Sequence, residues 1–180
     1  MSEAKSRSDE NDVEMDDEGS SSIDVFEMLK SDHRHVQELF SKFEDADKRT
    51  RTAIAEETLN GLEVHAALEE ELVYPAIAEV VEEKDIVNEA KEEHHVAKFL
   101  IKELRKMDAG EEDFATKFKV LGEIVKHHIE EEEGEMFPQA EEGGLETEEL
   151  SQDVMKRKEK LMQKYEGGKK ASSQRRKKAA

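Results

Sequence analysis

The sequence predicts an all-α protein: an antiparallel up-down four-helix bundle with an additional C-terminal helix and disordered termini. Three observations lead there. The chain has 180 residues with two Pro, no Trp and no Cys, and its middle is rich in Glu, Lys, Ala and Leu, a composition that favours helix over sheet. Apolar residues recur at alternating spacings of three and four along four successive segments. Short breaks near residues 47, 83 and 110 separate those segments, so that neighbouring helices run antiparallel.

The first helix is expected from Ser21 and Ser22, which can cap it, to about residue 45, burying Phe26, Leu29, His33, Val36, Phe40 and Phe43. A second begins near Thr52 and buries Ile54, Thr58, Leu62, His65, Glu69 and Leu72. Pro75 should kink or break it before a short continuation through Ile77 and Val80. The third, from Asp85 to Met107, uses Val87, Ala90, His94, Ala97, Ile101 and Leu104, with Gly110 in the left-handed position after it. The fourth uses Phe114, Phe118, Leu121, Val125, His128 and Glu132 and stops before Pro138. A more polar helix, within 145–166, carries Leu150, Val154, Leu161 and Met162 and is expected against the outside of the bundle. The resulting division is an acidic unfolded tail at 1–20, the bundle at 21–142, the extra helix at 145–166 and a basic unfolded tail at 167–180.

The formal charge is −19. The acidic N-terminal tail and the basic C-terminal tail offset each other, so the bundle itself carries that negative charge. Such a body attracts cations and repels nucleic acid; the basic tail reads as a solvated end, and what protein, if any, the tails meet is not encoded in their composition. Absence of Cys removes thiolate ligands and thiol chemistry, so a metal would be held by nitrogen and oxygen donors. There is no apolar run of membrane-spanning length and no secretory signal, which argues against a membrane and for the cytoplasm.

Two stretches are near copies. His65-Ala-Ala-Leu-Glu69 and His128-Ile-Glu-Glu-Glu132 each place a carboxylate four residues after a His, and each is followed by aromatic-Pro, Tyr74-Pro75 and Phe137-Pro138. Residues i and i+4 share a helix face, so each pair can reach one ion. Asp32-His33 mirrors Glu93-His94 in the same way, and every main helix carries one His in phase with its apolar stripe. Counted from the turns, the four His lie at similar depth, roughly 16–27 Å along their helices. Buried unpaired carboxylates at Glu69 and Glu132 would each cost several kcal/mol or take up a proton; a cation removes that cost. Two hairpins, each with a lone His and an H-x-x-x-E, make a two-metal site.

These residues resemble the hemerythrin-like, HHE cation-binding family: Ser31-Asp32-His33, the motif at His65, Glu93-His94, and the motif at His128 running into Met-Phe-Pro, over roughly residues 22–140. The resemblance implies a four-helix bundle around two iron ions bridged by carboxylates and an oxo or hydroxo group. It also implies an open position for dioxygen or another small ligand, and His33, His65, Glu69, His94, His128 and Glu132 as metal ligands. Oxygen carriers of this family place two His four residues apart on the third helix. Here Ala90 and Lys98 stand at that spacing from His94, so a position falls to water or to an extra carboxylate, Glu70 or Glu133.

Three functions follow from different classes. The leading one is a di-iron protein that binds dioxygen or a small ligand, or senses iron or redox state. The alternative is an oxidase-type enzyme at the same centre, a ferroxidase or a peroxide- or nitric-oxide-handling activity. The third is a metal-free structural bundle. A ferritin-type E-x-x-H scheme would use Glu92-x-x-His95 and Asp32-x-x-His35, but those His lie off the stripes and leave His65 and His128 idle. His35, His95 and His127 are therefore expected at the surface, with His95 or His127 able to hydrogen-bond behind a ligand. Tyr74 and Phe137 are expected to close one end of the bundle, with shielding of the metal from water as the alternative role.

Overall fold

A computed structural model describes residues 24–178, with side chains described for residues 24–165; the acidic tail at 1–20 lies outside the described residues. The helices are α1 (Val25–Asp45), α2 (Lys48–Leu68), α3 (Tyr74–Val80), α4 (Asp85–Leu104), α5 (Glu112–Glu131), α6 (Phe137–Glu142) and α7 (Thr147–Lys178), with π-helical turns at Glu69–Val73 and Glu132–Met136. Two long rods therefore each consist of an α-helix, a π turn and a short α-helix. α1 packs on α2 and α5, α4 packs on α5 and α2, and α7 lies outside against α1, α2 and the first π turn. Among the described residues no helix is long and apolar enough to cross a membrane.

Local chemistry explains the boundaries. Asp24 caps α1 by accepting from the Phe26 amide at 2.8 Å, in place of the expected Ser21 and Ser22, which lie outside the described residues. Asp47 caps α2, accepting from the amides of Arg49 and Thr50 at 2.9 Å, so α2 starts a turn earlier than its apolar stripe suggests. Gly110 does not adopt the left-handed conformation expected of it; a Cβ there would instead collide with the Lys48 side chain. The left-handed glycine is Gly144, with φ 81°, which ends α6 while the Leu145 amide donates to the Ala140 carbonyl at 3.0 Å.

Neither proline stops its rod. The amides of Tyr74 and Phe137 donate to the carbonyls of Glu69 and Glu132, five residues back rather than four. That shift moves Pro75 and Pro138 into the first turn of α3 and α6, where a missing N–H is tolerated. The fourth helix accordingly continues past the end expected before Pro138. The helical backbone of α7 likewise extends to Lys178, beyond the end expected at residue 166.

Two apolar clusters fill the bundle. One gathers Phe26, Leu29, Leu68, Tyr74, Ile77 and Phe137; the other gathers Phe43, Leu59, Ile101, Phe114, Phe118 and Leu121. Along α1 His33 falls between Leu29 of the first and Val36 of the second, so the buried polar residues form a layer between them. Of the stripe expected in this rod, Thr58, His65 and Glu69 are buried while Ile54, Leu62 and Leu72 are half-buried; α2 instead buries Leu59 against Phe43 and Phe114 and Val64 and Leu68 in the cluster that Val154 of α7 joins.

Candidate metal centre

All six residues expected as ligands meet in that layer. His33, Glu69, His94, His128 and Glu132 are buried and His65 is almost so. Nε2 of His33 lies 3.0 Å from Nε2 of His65, and Nε2 of His94 lies 3.0 Å from Nε2 of His128. Glu69 stands between the pairs, Oε1 at 2.9 Å from His65 Nε2 and Oε2 at 3.3 Å from His94 Nε2. Oε2 of Glu132 lies 3.3 Å from His33 Nε2 and 3.4 Å from His128 Nε2. Two donor groups result: His33, His65, Glu69 and Glu132, and then Glu69, His94 and His128.

The outer nitrogens are held just as regularly. Nδ1 of His33 donates to Glu133 at 2.7 Å, that of His94 to Glu70 at 3.0 Å, and that of His128 to Glu93 at 2.7 Å. Nδ1 of His65 faces Asp32 at 3.6 Å. This carboxylate-behind-imidazole pattern orients metal-binding His and turns the Nε2 lone pair inward. Glu70 and Glu133, expected as possible extra ligands, therefore stand on the outer side of the imidazoles. Asp32 and Glu93 each support the His of the neighbouring helix, His65 and His128, rather than the His that follows them in sequence. The recurring acid-His dipeptide was the signal for them. His35, His95 and His127 are exposed; His127 comes only within 3.9 Å of Glu93, so the supporting role falls to carboxylates.

Exchange of the two hairpins maps most of these contacts onto counterparts, but His65 Nδ1 stands 3.6 Å from Asp32 where His128 Nδ1 bonds Glu93 at 2.7 Å, and Tyr74 has no polar counterpart. Tyr74, fully buried, donates its hydroxyl to Oε1 of Glu132 at 2.8 Å and lies 3.3 and 3.4 Å from Nε2 of His94 and His128. Its counterpart Phe137 has no polar atom and stacks on Phe26 at 4.6 Å. Of the two roles expected for Tyr74, closing the bundle end and shielding the metal, its place in the layer beside His94, His128 and Glu132 matches the second, and the π turn puts it there.

The donors fit cations. Both carboxylate oxygens of Glu69, Oε2 of Glu132 and Nδ1 of His65 are buried without a hydrogen-bond partner, which is costly for groups of this charge. With Nδ1 donating outward, the Nε2 atoms of His94 and His128 present lone pairs to each other, and a shared cation relieves that repulsion. Without metal, protons take its place. Burial works against charging His65, but the charge of Glu69, with the carboxylates of Asp32 and Glu132 nearby, outweighs it and pushes His65 up to about 10. Burial likewise opposes charging Glu69, yet His65 and His94 hold its carboxyl well below the ordinary range. His128 is raised against burial by Glu93 and Glu132. Burial, then Glu69 and Glu132, push the Tyr74 phenol well above its usual value.

A cavity of about 370 Å³, mostly apolar, extends from the four imidazoles past Val36, Leu39, Ala97 and Val125 and reaches Met162 and Tyr165 of α7.

A bundle with this layer belongs to a class of His- and carboxylate-based metal proteins. The hemerythrin HHE cation binding domain matches residues 24–140, and the chain belongs to that family. It is similar to a crystal structure of an HHE cation binding domain-containing protein from Mycobacterium kansasii, with 25% identity, a TM-score of 0.67, and coverage of 77% of this chain and 87% of that one. It is also 24% identical over 116 residues to a protein of Nostoc sp. described as a DNA nickase; the match covers 64% of this chain but only 33% of that protein.

Proposed function

We propose that this protein is a non-haem di-iron protein in which His33 and His65 hold one ion, His94 and His128 hold the other, and Glu69 and Glu132 span both. It binds dioxygen or a comparably small ligand, or reports iron and redox state. The observation that carries this reading is Glu69: a fully buried carboxylate with both oxygens unpartnered, each facing a different His pair. When bound, iron supplies the electrons and the open coordination for small-ligand chemistry. The chain orients the imidazoles through Asp32, Glu70, Glu93 and Glu133, excludes water with two apolar clusters, and offers an apolar route suited to uncharged molecules. The cytoplasm is the compartment this reading calls for.

The test is anaerobic loading with ferrous iron, metal analysis by mass spectrometry, and an optical spectrum in air. About two iron per chain, with oxo-bridged ferric bands that reverse under vacuum, supports a binding protein. A chain that holds no iron after loading refutes the reading.

One observation favours the oxidase-type alternative. Each ion would have only two imidazoles, leaving iron less saturated than in a site with a third His on one side. Turnover of ferrous iron or peroxide by the loaded protein distinguishes that alternative.

A further inference from the structure

We infer that two copies of this chain pair through the outer face of α4 and α5, about a twofold axis that runs across that face at the level of Phe99 and Val120. The inference does not depend on metal in the layer; it adds a partner to the reading above.

Three large apolar side chains stand in solvent on these two helices: Val96 at 49%, Phe99 at 60% and Val120 at 47% exposure. Helical spacing puts them on one face. His94, Ile101 and Leu104 turn inward on α4, and Phe99 lies about 200° round from Ile101. Leu121 and Val125 turn inward on α5, which sends Val120 outward. The half-buried Leu100 and Ile124 fill the seam between the helices. α7 packs on the other hairpin, against α1, α2 and the first π turn. A single exposed apolar residue is ordinary, whereas a contiguous group of them marks a protein contact.

The charges around the group select a second copy as the occupant. Glu103 meets Lys117 and Glu93 meets His128, each at 2.7 Å, so position 99 of α4 stands beside 121–122 of α5, within about 3 Å of the level of Val120. A twofold axis across the face at that level lays α4 antiparallel on α4 of the other copy, and α5 on α5. Residues equally far before and after the centre then meet. Glu92 and Lys106 lie seven residues either side of Phe99, about 10 Å each way, and both are exposed. Glu123 and Lys117 lie three residues either side of Val120. Each acid therefore meets a base, twice over by symmetry, as a self-complementary interface requires. The chain's net charge of −19 opposes indiscriminate association, so these pairs also fix the register.

The area is sufficient. Two helices of 20 residues, each about 30 Å long and about 10 Å wide, present about 600 Å² per copy and about 1,200 Å² in a pair. That is the lower edge of what a specific interface buries, so the dimer should dissociate on dilution.

Sedimentation equilibrium of the full-length protein over a range of concentrations is the test. The parent should show a reversible monomer–dimer equilibrium. Phe99→Asp should weaken the dimer at least about 30-fold, because an aromatic anchor is lost from both copies, and as a dilute monomer it should melt like the parent because Phe99 is exposed. Glu92→Lys and Lys106→Glu should each weaken the dimer about 2- to 30-fold, and the double reversal should restore it, since each changed residue then meets a changed partner. A parent that stays monomeric when concentrated overturns the inference, whether the face is bare or covered by one of the chain's own ends. A dimer of parental strength in Phe99→Asp overturns it as well, by placing the contact elsewhere. A double reversal no tighter than the single ones overturns the twofold register. None of these outcomes bears on the di-iron reading, which iron loading decides by itself.

Discussion

Lys158 on α7 grips Asp32 by both carboxylate oxygens, at 2.7 and 2.6 Å, and Asp32 stands behind His65. Burial would raise the Asp32 carboxyl, but His65 and Lys158 together hold it below its ordinary value. Arg157, one residue earlier, pairs with Glu71 of the first π turn at 2.7 and 2.9 Å. The outer helix is thus tied to the support of one His and to the turn that carries Tyr74. Asp32→Ala is expected to weaken iron binding about 10- to 100-fold, the usual cost of losing a carboxylate behind a metal-bound His. Lys158→Ala should weaken it less and in the same direction. Chelator competition measures both; an unchanged affinity in Lys158→Ala would reduce α7 to a cover over apolar surface.

His65 and His35 make a clean pair because both lie in the same hairpin but only one faces the layer. His65→Ala should lower bound iron well below the parent level. His35→Ala removes an exposed contact to Glu57 at 3.1 Å and should leave iron content unchanged. Metal analysis of the two variants side by side decides the assignment, and full iron in both would refute it.

Phe118 packs against Phe43 and Phe114, with ring centroids 4.3 and 5.7 Å away, and is 1% exposed. It belongs to the apolar cluster that closes one side of the layer and touches none of the six ligand candidates. Phe118→Ala should cost about 3–5 kcal/mol of folding stability by leaving a cavity. Iron content of the folded fraction should stay at the parent level. Denaturant melts of the metal-free chain, paired with metal analysis, separate the two effects.

The parts of this layer that obey the 3.6-residue period were legible in sequence, and those that break it were not. His33, His65, His94 and His128 share phase with Leu29, Leu62, Ala90 and Val125, so their convergence follows from the stripe. Glu69 and Glu132 could be told from their acidic neighbours only by the same phase. Tyr74 was read first as an end cap, with shielding of the metal second, because an α-helical count does not bring residue i+5 over residue i; only the π turn does. The acids behind the imidazoles were seen as repeated dipeptides, but their partners lie across helix interfaces, which no local pattern encodes. Burial of Val64 and Leu68 was hidden because the cluster they join is completed by Val154 of α7, whose own stripe is weak.

Without metal, His65 takes up a proton, and that fixes the direction of a pH effect. Its folded value is about 10 against an ordinary 6.5, so between those limits the folded chain binds more protons than the unfolded one. The stabilisation is complete below about pH 6.5 and is lost as pH rises through about 10. His128 is displaced the same way and adds to the slope. The chelator-treated protein should therefore melt at steadily lower temperature from pH 6.5 to 10. His65→Gln should melt with a shallower dependence, because only His128 then contributes. Iron-loaded protein should lack most of the slope, since the ion occupies the nitrogen that the proton would hold. Thermal melts of the three samples across that range provide the check. A metal-free parent with a flat profile would mean that His65 stays neutral between Glu69 and Asp32, leaving the buried charge of Glu69 without the compensation assigned to it.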